Sequence, residues 1–236
     1  MIDIHCHIIY DVDDGAKTID DSIKMALEAK KVGIDAIVCS PHYNESLWSS
    51  ERILDNFYQT KAEVKKCGIE LFLGYEVFLC NFPTEILSGK RKYTLHDSNY
   101  LLFELPPNIV PIDLNQNLHK MLSYGYIPII AHPERNICFI RNIEKLMDLV
   151  KAGCLVQVDA SSIVGIWGSD VKKFAKKLIK KNLVHFAASD AHRPGDYSEW
   201  YLQAYKNVKK WSGKEYCDRI FMINQNKILG ISDFED

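Results

Sequence analysis

The stretch IDIHCHIIYDVDDG, residues 2–15, joins a short apolar run to two histidines and a cluster of aspartates. Side chains alternate along a β-strand, so His5 and His7 project to one face while Cys6 points to the other. Two imidazoles on one face can bind the same ion. One such pair is weak evidence for a metal site, because an isolated histidine in an apolar segment is more often a core residue. Whether His5 and His7 bind metal therefore depends on further ligand-type residues elsewhere in the chain.

Strand-like and helix-like segments alternate along the chain, which indicates parallel βαβ units. The predicted strands are Ile2 to His5, Ala36 to Ser40, Glu70 to Leu73, Tyr100 to Phe103, Ile127 to Ala131, Leu155 to Val158 and Val184 to Ala188. The predicted helices are Asp20 to Val32, Glu51 to Lys66, Asp113 to Tyr124, Ile143 to Ala152 and Asp170 to Lys181, with two more near the C-terminus. Thr18 and Asp21 predict a capping box for the first helix.

Residues of the metal-ligand type follow almost every predicted strand. They are His42 in SPH, Glu76 in GYE, Glu104 in FE, His132 in AHPER, and Asp190 and His192 in SDAH. Only the sixth strand lacks one at its end, since Gln157 is a poor metal ligand, although Asp159 and Ser161 follow. The carboxyl ends of parallel strands meet at one mouth only if the sheet closes, so this recurrence favours a barrel over an open sheet.

The chemistry of these residues predicts a polynuclear metal site at that mouth. Imidazole nitrogen combined with carboxylate oxygen suits Zn, Mn or Fe, and no cysteine occupies these positions. Three aspartates of the DVDDG segment compete for a further ligand position, and spacing does not choose among Asp11, Asp13 and Asp14. Short acids before a turn also have an ordinary role as backbone caps.

Composition limits the other possibilities. The chain has 236 residues, 47% of them apolar, and a net charge of -2, which predicts one domain over 1–236 and disfavours a nucleic-acid partner. No segment has the pattern of a signal peptide or a membrane span, so we expect a cytoplasmic protein without membrane insertion. The seven cysteines form no CxxC pair and are expected to be reduced thiols. None has an arginine six residues later, which excludes the C-x5-R cysteine phosphatase loop.

The motifs HxH, DVDDG, SPH, GYE, FELP, AHPER and SDAH, in this order, resemble those of the bacterial manganese-dependent protein tyrosine phosphatases. These belong to the polymerase and histidinol phosphatase (PHP) superfamily and are associated with capsular and extracellular polysaccharide assembly. The resemblance implies an α/β fold, a distorted (β/α)7 TIM-like barrel of the PHP type. It also implies three divalent ions, Mn in the first place with Fe, Zn or Mg as alternatives. The implied ligands are His5, His7, Asp14, His42, Glu76, Glu104, His132, Asp190 and His192.

Phosphate-binding arginines are also implied by the resemblance. Arg135 in HPERN matches the first, although it has an alternative role as the ion-pair partner of Glu134 or another strand-end acid. The second is less well matched, because Arg193 directly follows His192 and a single Pro194 follows it. Arg135, His42 and Asp190 are the predicted catalytic residues. Trp48 is the favoured aromatic contact for a phosphotyrosine ring, ahead of the other aromatic candidates Trp167, Trp200 and Tyr201.

The predicted reaction is hydrolysis of phosphotyrosine by a metal-activated hydroxide, since divalent ions about 3.5–4 Å apart lower the pKa of a bound water towards ~7. Glu76 is the expected bridging carboxylate. The resemblance implies that the substrate is the C-terminal tail of a bacterial tyrosine kinase that controls capsule or exopolysaccharide synthesis. Three alternatives stay open: a PHP-type small-molecule phosphatase such as histidinol phosphatase, a phosphodiesterase or nuclease, and a module that binds a phosphorylated tail without turnover.

Overall fold

The computed structural model describes residues 1–43, 50–79, 86 and 93–230. Within them, nine short parallel strands follow one another around the molecule. The strands are β1 (Ile2–Cys6), β2 (Ala36–Cys39), β3 (His42–Tyr43), β4 (Glu70–Leu73), β5 (Glu76–Phe78), β6 (Tyr100–Glu104), β7 (Ile127–Ile130), β8 (Leu155–Asp159) and β9 (Phe186–Ala188).

Two pairs of these strands are single strands with a break in the middle. Ser40 and Pro41 separate β2 from β3, and Gly74 and Tyr75 separate β4 from β5. A side chain at Gly74 would be crowded, because a Cβ there would lie 2.8 Å from Leu95 Cδ2 and 3.0 Å from Leu95 Cα. The nine strands therefore occupy seven positions, which is the number predicted.

The seven positions form a closed ring. One sheet has the order β1-β2-β4 and the other the order β3-β5-β6-β7-β8-β9, all parallel. The last strand returns to the first through an isolated bridge between Cys6 and Ala191, where His7 N donates to Ala191 O at 2.9 Å. The predicted distorted (β/α)7 barrel is confirmed.

Helices cover the outside of the ring. They are α1 (Ile19–Lys31), α2 (Ser50–Lys65), α3 (Leu114–Ser123), α4 (Ile137–Arg141), α5 (Ile143–Lys151), α6 (Ala160–Val164), α7 (Ser169–Lys180), α8 (Leu202–Ser212), α9 (Lys214–Asp218) and α10 (Asn224–Ile228). The five predicted helices match α1, α2, α3, α5 and α7 to within one residue at each end, and the capping box of Thr18 and Asp21 is present. Among the described residues, every helix is too short or too polar to span a bilayer.

The core has two parts, and the smaller one fills the inside of the ring. Its buried side chains include Ile4, Val38, Leu102, Ile129 and Ala188. The larger part lies between the strands and the helices. Because the apolar side chains close the lower part of the barrel, the polar side chains at the carboxyl ends of the same strands are left facing a common space above them.

Candidate metal centre

A β-bulge in β1 aims the two histidines of IDIHCH into the barrel. Asp3 pairs with Ile37 and Cys6 with Cys39, so three steps along β1 match two steps along β2. The extra residue reverses the alternation: Ile4 packs with the interior cluster, and His5, the next residue, also faces inward. His5 and His7 therefore meet, with their Nε2 atoms 3.3 Å apart and both side chains buried.

Each of these histidines is held by its other ring nitrogen. His5 Nδ1 donates to Gln157 Oε1 at 2.9 Å, and His7 Nδ1 donates to Asp13 Oδ2 at 2.7 Å. Fixing Nδ1–H leaves Nε2 as the free donor of electrons, which is the arrangement found in metal-ligating histidines. Both Nε2 atoms thus point at the same space with their lone pairs available.

Glu76 lies at the centre of this space and is buried. Its Oε2 is 3.3 Å from His5 Nε2 and 3.0 Å from His42 Nδ1, and its Oε1 is 2.8 Å from His132 Nε2. Glu104 adds a second carboxylate, with Oε1 3.3 Å from His42 Nδ1. Counting His7, whose Nε2 is 3.4 Å from Glu76 Oε2, this carboxylate contacts four imidazoles at the ends of three strands, which is the placement of a bridging ligand.

The remaining candidates, Asp190, Asp14 and His192, lie beside the same histidines. Asp190 Oδ1 is 3.1 Å from His5 Nε2 and 3.4 Å from His7 Nε2. Nearer the mouth, Asp14 Oδ1 is 3.4 Å from the Nε2 atoms of both His42 and His192. Among the described residues, the potential ligand atoms form four overlapping groups, and within each group the atoms lie within 4.8 Å of one another. These groups are His7 with Asp14, His42 and His192; His5 with His7 and Asp190; His5 with Glu76 and His132; and His42 with Glu76 and Glu104.

The buried carboxylates of the cluster favour the binding of cations. Burial would lower the pKa of His5, but the charges of Glu76 and Asp190 outweigh it and raise that pKa to about 9. Burial, with the like charge of Glu76, raises the pKa of Glu104 to about 8. Buried acids of this density are costly unless positive charge accompanies them.

The donor geometry also fits metal ions. His42 Nδ1 and Glu76 Oε2 are 3.0 Å apart, yet they form no hydrogen bond with each other or with any other described residue, and both atoms are buried. Two such atoms can be satisfied together by a cation that both of them face. With nitrogen and oxygen donors only, the residues fit Mn, Fe or Zn.

Arg135 stands beside the cluster. It lies on a short 3-10 turn, Pro133–Arg135, directly after β7, and its Nη2 donates to Asp190 Oδ2 at 2.6 Å. A second ion pair joins it to the buried Asp159. Its guanidinium carbon lies 4.2 Å from the ring centre of Trp167. Arg135, Trp167 and Asp190 line a cavity of about 670 Å³ at the barrel mouth, together with most of the candidate ligands.

Comparisons with known proteins identify the family of this chain. Residues 1–230 match the model of the family described as capsular polysaccharide synthesis, CpsB/CapC. The chain belongs to the CpsB/CapC family. It is 38% identical over 196 residues to the tyrosine-protein phosphatase YwqE of Bacillus subtilis, covering 81% of this chain and 77% of YwqE. It is 30% identical over 238 residues to the tyrosine-protein phosphatase CpsB of Streptococcus agalactiae, covering 97% of this chain and 98% of CpsB.

A solved structure is also similar along its whole length. It comes from a study of YwqE from Bacillus subtilis and CpsB from Streptococcus pneumoniae, which that study describes as unique metal-dependent tyrosine phosphatases. The TM-score is 0.83 at 32% identity, over 98% of this chain and 94% of that one. The CpsB/CapC fold and the predicted relationship to metal-dependent tyrosine phosphatases are therefore confirmed.

All nine predicted ligands of this CpsB/CapC protein lie together at the mouth, and the histidines excluded from the set lie elsewhere. His96 packs on Phe72, His119 is exposed on α3, and His185 Nδ1 accepts from Val156 N. Trp48 lies outside the described residues. Arg193 lines the cavity, and its side chain is 77% exposed. Its role as a second phosphate-binding arginine stays a prediction.

The structure distinguishes the acids of DVDDG. Asp13 is buried, where it binds His7 Nδ1 and accepts from Gly15 N at 2.8 Å. Asp14 is exposed and faces His42 and His192. Gly15 itself packs on the first strand, since a Cβ there would lie 2.2 Å from the carbonyl oxygen of His7. The geometry agrees with the choice of Asp14 as ligand and gives Asp13 an orienting role.

We predict that Asp13→Asn weakens metal binding about 10- to 100-fold, because outer partners of ligating histidines have effects of this size. An amide can still fill the space, but it loses the charge that fixes the His7 Nδ1–H. Competition with a fluorescent chelator measures the affinity. Asp11→Asn, in the same segment but exposed and paired with Arg52, is the matched control. Equal affinities for Asp13→Asn and the unmodified protein would contradict the orienting role.

Proposed function

We propose that this protein is a metal-dependent phosphatase that hydrolyses phosphotyrosine in proteins. The observation that carries the proposal is the meeting of five histidines and four carboxylates at the strand ends. Seven of these nine side chains line one open cavity together with Arg135. The tyrosine-protein phosphatase names of CpsB and YwqE, to which the chain is similar along most of its length, support the choice of substrate.

The nine candidate ligands are the residues we propose to hold the ions. They are His5, His7, Asp14, His42, Glu76, Glu104, His132, Asp190 and His192. Divalent ions bound there supply Lewis acidity and a nucleophilic water at neutral pH. Gln157 and Asp13 keep His5 and His7 turned towards the ions through their Nδ1–H groups.

Arg135 provides the protein's own positive charge at the reacting group. Its Nη2 lies against Asp190, a candidate ligand, so a phosphoryl group at the cluster comes within reach of the guanidinium. Charge on the phosphoryl oxygens must be stabilised throughout the displacement, and fixed donors do this without reorganising. The ion pair with Asp159 and the stacking on Trp167 fix those donors.

We propose three divalent ions, with Mn as the first candidate, and Arg193 as a second phosphate contact at the rim. We propose a phosphotyrosyl protein as substrate, the tail of a bacterial tyrosine kinase in capsule synthesis, and a cytoplasmic location. The family description, capsular polysaccharide synthesis, supports that setting.

One experiment separates the leading substrates. Chelator-stripped protein is assayed with a phosphotyrosine peptide and with histidinol phosphate, with and without added Mn, alongside the His5→Ala variant. We expect Mn-dependent turnover of the peptide that His5→Ala abolishes. Preference for histidinol phosphate would overturn the protein substrate while keeping the metal site. Turnover of neither compound would overturn the enzyme and favour a binding module.

A further inference from the structure

The rim of the cavity carries two exposed apolar side chains that the metal chemistry does not use. Ile166 is 58% exposed and Trp167 is 53% exposed, and both line the same cavity as Arg135 and Asp190. Single exposed apolar residues are normal on a protein surface. Two adjacent ones, beside a floor of imidazoles and carboxylates, give the cavity one apolar wall and one charged floor.

The wall is held in a fixed position. Trp167 Nε1 donates to Ser161 Oγ at 3.0 Å, and Ser161 lies on α6, directly after β8. One face of the indole covers the guanidinium of Arg135. Gly165 and Gly168 on either side have φ values of 104° and 95°, which lets the chain turn sharply around the pair. The indole is therefore anchored on one face and at its N–H while about half of its surface stays open.

The position of the wall fits one particular ligand. Arg135 contacts both Asp190 at the floor and Trp167 at the wall, so a single residue separates the two. A ligand that fills both regions must carry a dianionic head and, next to it, a flat apolar group. An aryl phosphate has this arrangement, since its ring is joined to phosphorus through one oxygen atom. An alkyl phosphate has no ring to cover Ile166 and Trp167, so these side chains would stay in contact with water.

We propose that Ile166 and Trp167 form the wall against which the ring of a phosphorylated tyrosine packs, so that this loop selects aryl over alkyl phosphates. The inference rests on the proposed function and adds the residues that determine its specificity. Trp48, the aromatic contact favoured by the sequence, stays a prediction, and Trp167 is assigned this role because it contacts Arg135. Ring contacts of this kind strengthen binding by about 10-fold.

Phosphonates test the wall without relying on turnover. Benzylphosphonate and propylphosphonate carry the same head group and differ in the ring, and their dissociation constants are measured by calorimetry on Mn-loaded protein. We expect the unmodified protein to bind benzylphosphonate about 10-fold more tightly than propylphosphonate. Trp167→Ala should lose this preference and weaken benzylphosphonate about 10-fold more than propylphosphonate, because both ligands lose the support of Arg135 and only benzylphosphonate loses a ring contact. Trp167→Phe should keep most of the preference. Tyr58→Ala, an exposed aromatic on α2, should change nothing.

Two results would overturn the inference. Equal weakening of both phosphonates by Trp167→Ala would mean that the indole acts only by holding Arg135. An unchanged preference would mean that the ring binds elsewhere. Neither result bears on whether phosphotyrosine is hydrolysed, which the unmodified protein reports separately. Conversely, a Trp167-dependent preference without any phosphotyrosine turnover would keep the wall and remove the proposed reaction.

Discussion

Replacing Glu76 by Gln is expected to abolish metal-dependent turnover, with a loss of about 10³-fold or more in kcat. The change preserves the shape of the side chain and removes its charge. Glu76 is buried and contacts imidazoles from β1, β3 and the end of β7 through its two oxygens. In the Glu76→Gln variant one of the two oxygens is replaced by an NH2 group, which cannot coordinate a cation. Because both oxygens of Glu76 face imidazoles, at least one ion should lose a ligand and be released.

Measurement of both activity and metal content makes this prediction specific. Turnover of a phosphotyrosine peptide is followed at saturating Mn, and bound metal is counted by mass spectrometry after desalting. Glu63→Gln, on the exposed surface of α2 where Glu63 pairs with Lys66, makes the same chemical change away from the cluster. A Glu76→Gln variant that retained its full metal content and activity would remove Glu76 from the centre of the site.

The barrel could be predicted from the sequence because its two signals are local. Short apolar strand segments that alternate with helices indicate parallel units, and the ligand-type residues after almost every strand favour the convergence of those ends. The breaks between β2 and β3 and between β4 and β5 had no such signal. At Gly74 the break depends on the close approach of Leu95, which is distant in sequence and visible only after folding.

The bulge in β1 shows where strand alternation is insufficient. Alternation correctly placed His5 and His7 on one face, but it would have put Ile4 on the opposite face from them. The structure places Ile4 inside the barrel as well, because β1 has one extra residue between Asp3 and Cys6, so that three steps along β1 match two steps along β2. A bulge of this kind depends on the pairing between strands, and a single sequence does not specify it.

The sixth strand holds the residues that the sequence analysis missed. Gln157 is a poor metal ligand by its chemistry, and Asp159 had no role beyond following the strand, yet Gln157 holds His5 and Asp159 holds Arg135. Gln157 Nε2 also donates to Asp159 Oδ1 at 2.8 Å, which joins the two supports. Their spacing of two residues on a strand was a usable signal, since it places both side chains on the face that the ligands share.

Arg135 is expected to contribute to phosphate binding more than to metal binding. Arg135→Lys keeps a positive charge beside Asp159 and Asp190 but loses the planar, forked geometry that binds phosphate through two N–H groups. We predict that kcat/KM for a phosphotyrosine peptide falls about 10²-fold while the metal content stays unchanged. The inhibition constant of inorganic phosphate should rise in parallel.

Arg135→Ala tests the alternative that this arginine is only an ion-pair partner. Its removal leaves Asp159 buried without a counter-charge, which is expected to cost about 3–5 kcal/mol of folding stability. Thermal unfolding measures that loss, and Arg141→Ala, an exposed arginine on α4, is the control. If Arg135→Lys restores stability but not phosphate binding, the guanidinium acts on the substrate. If the lysine variant restores both, the positive charge beside Asp159 and Asp190 is all that the site requires, and recognition of phosphate must rest on the ions.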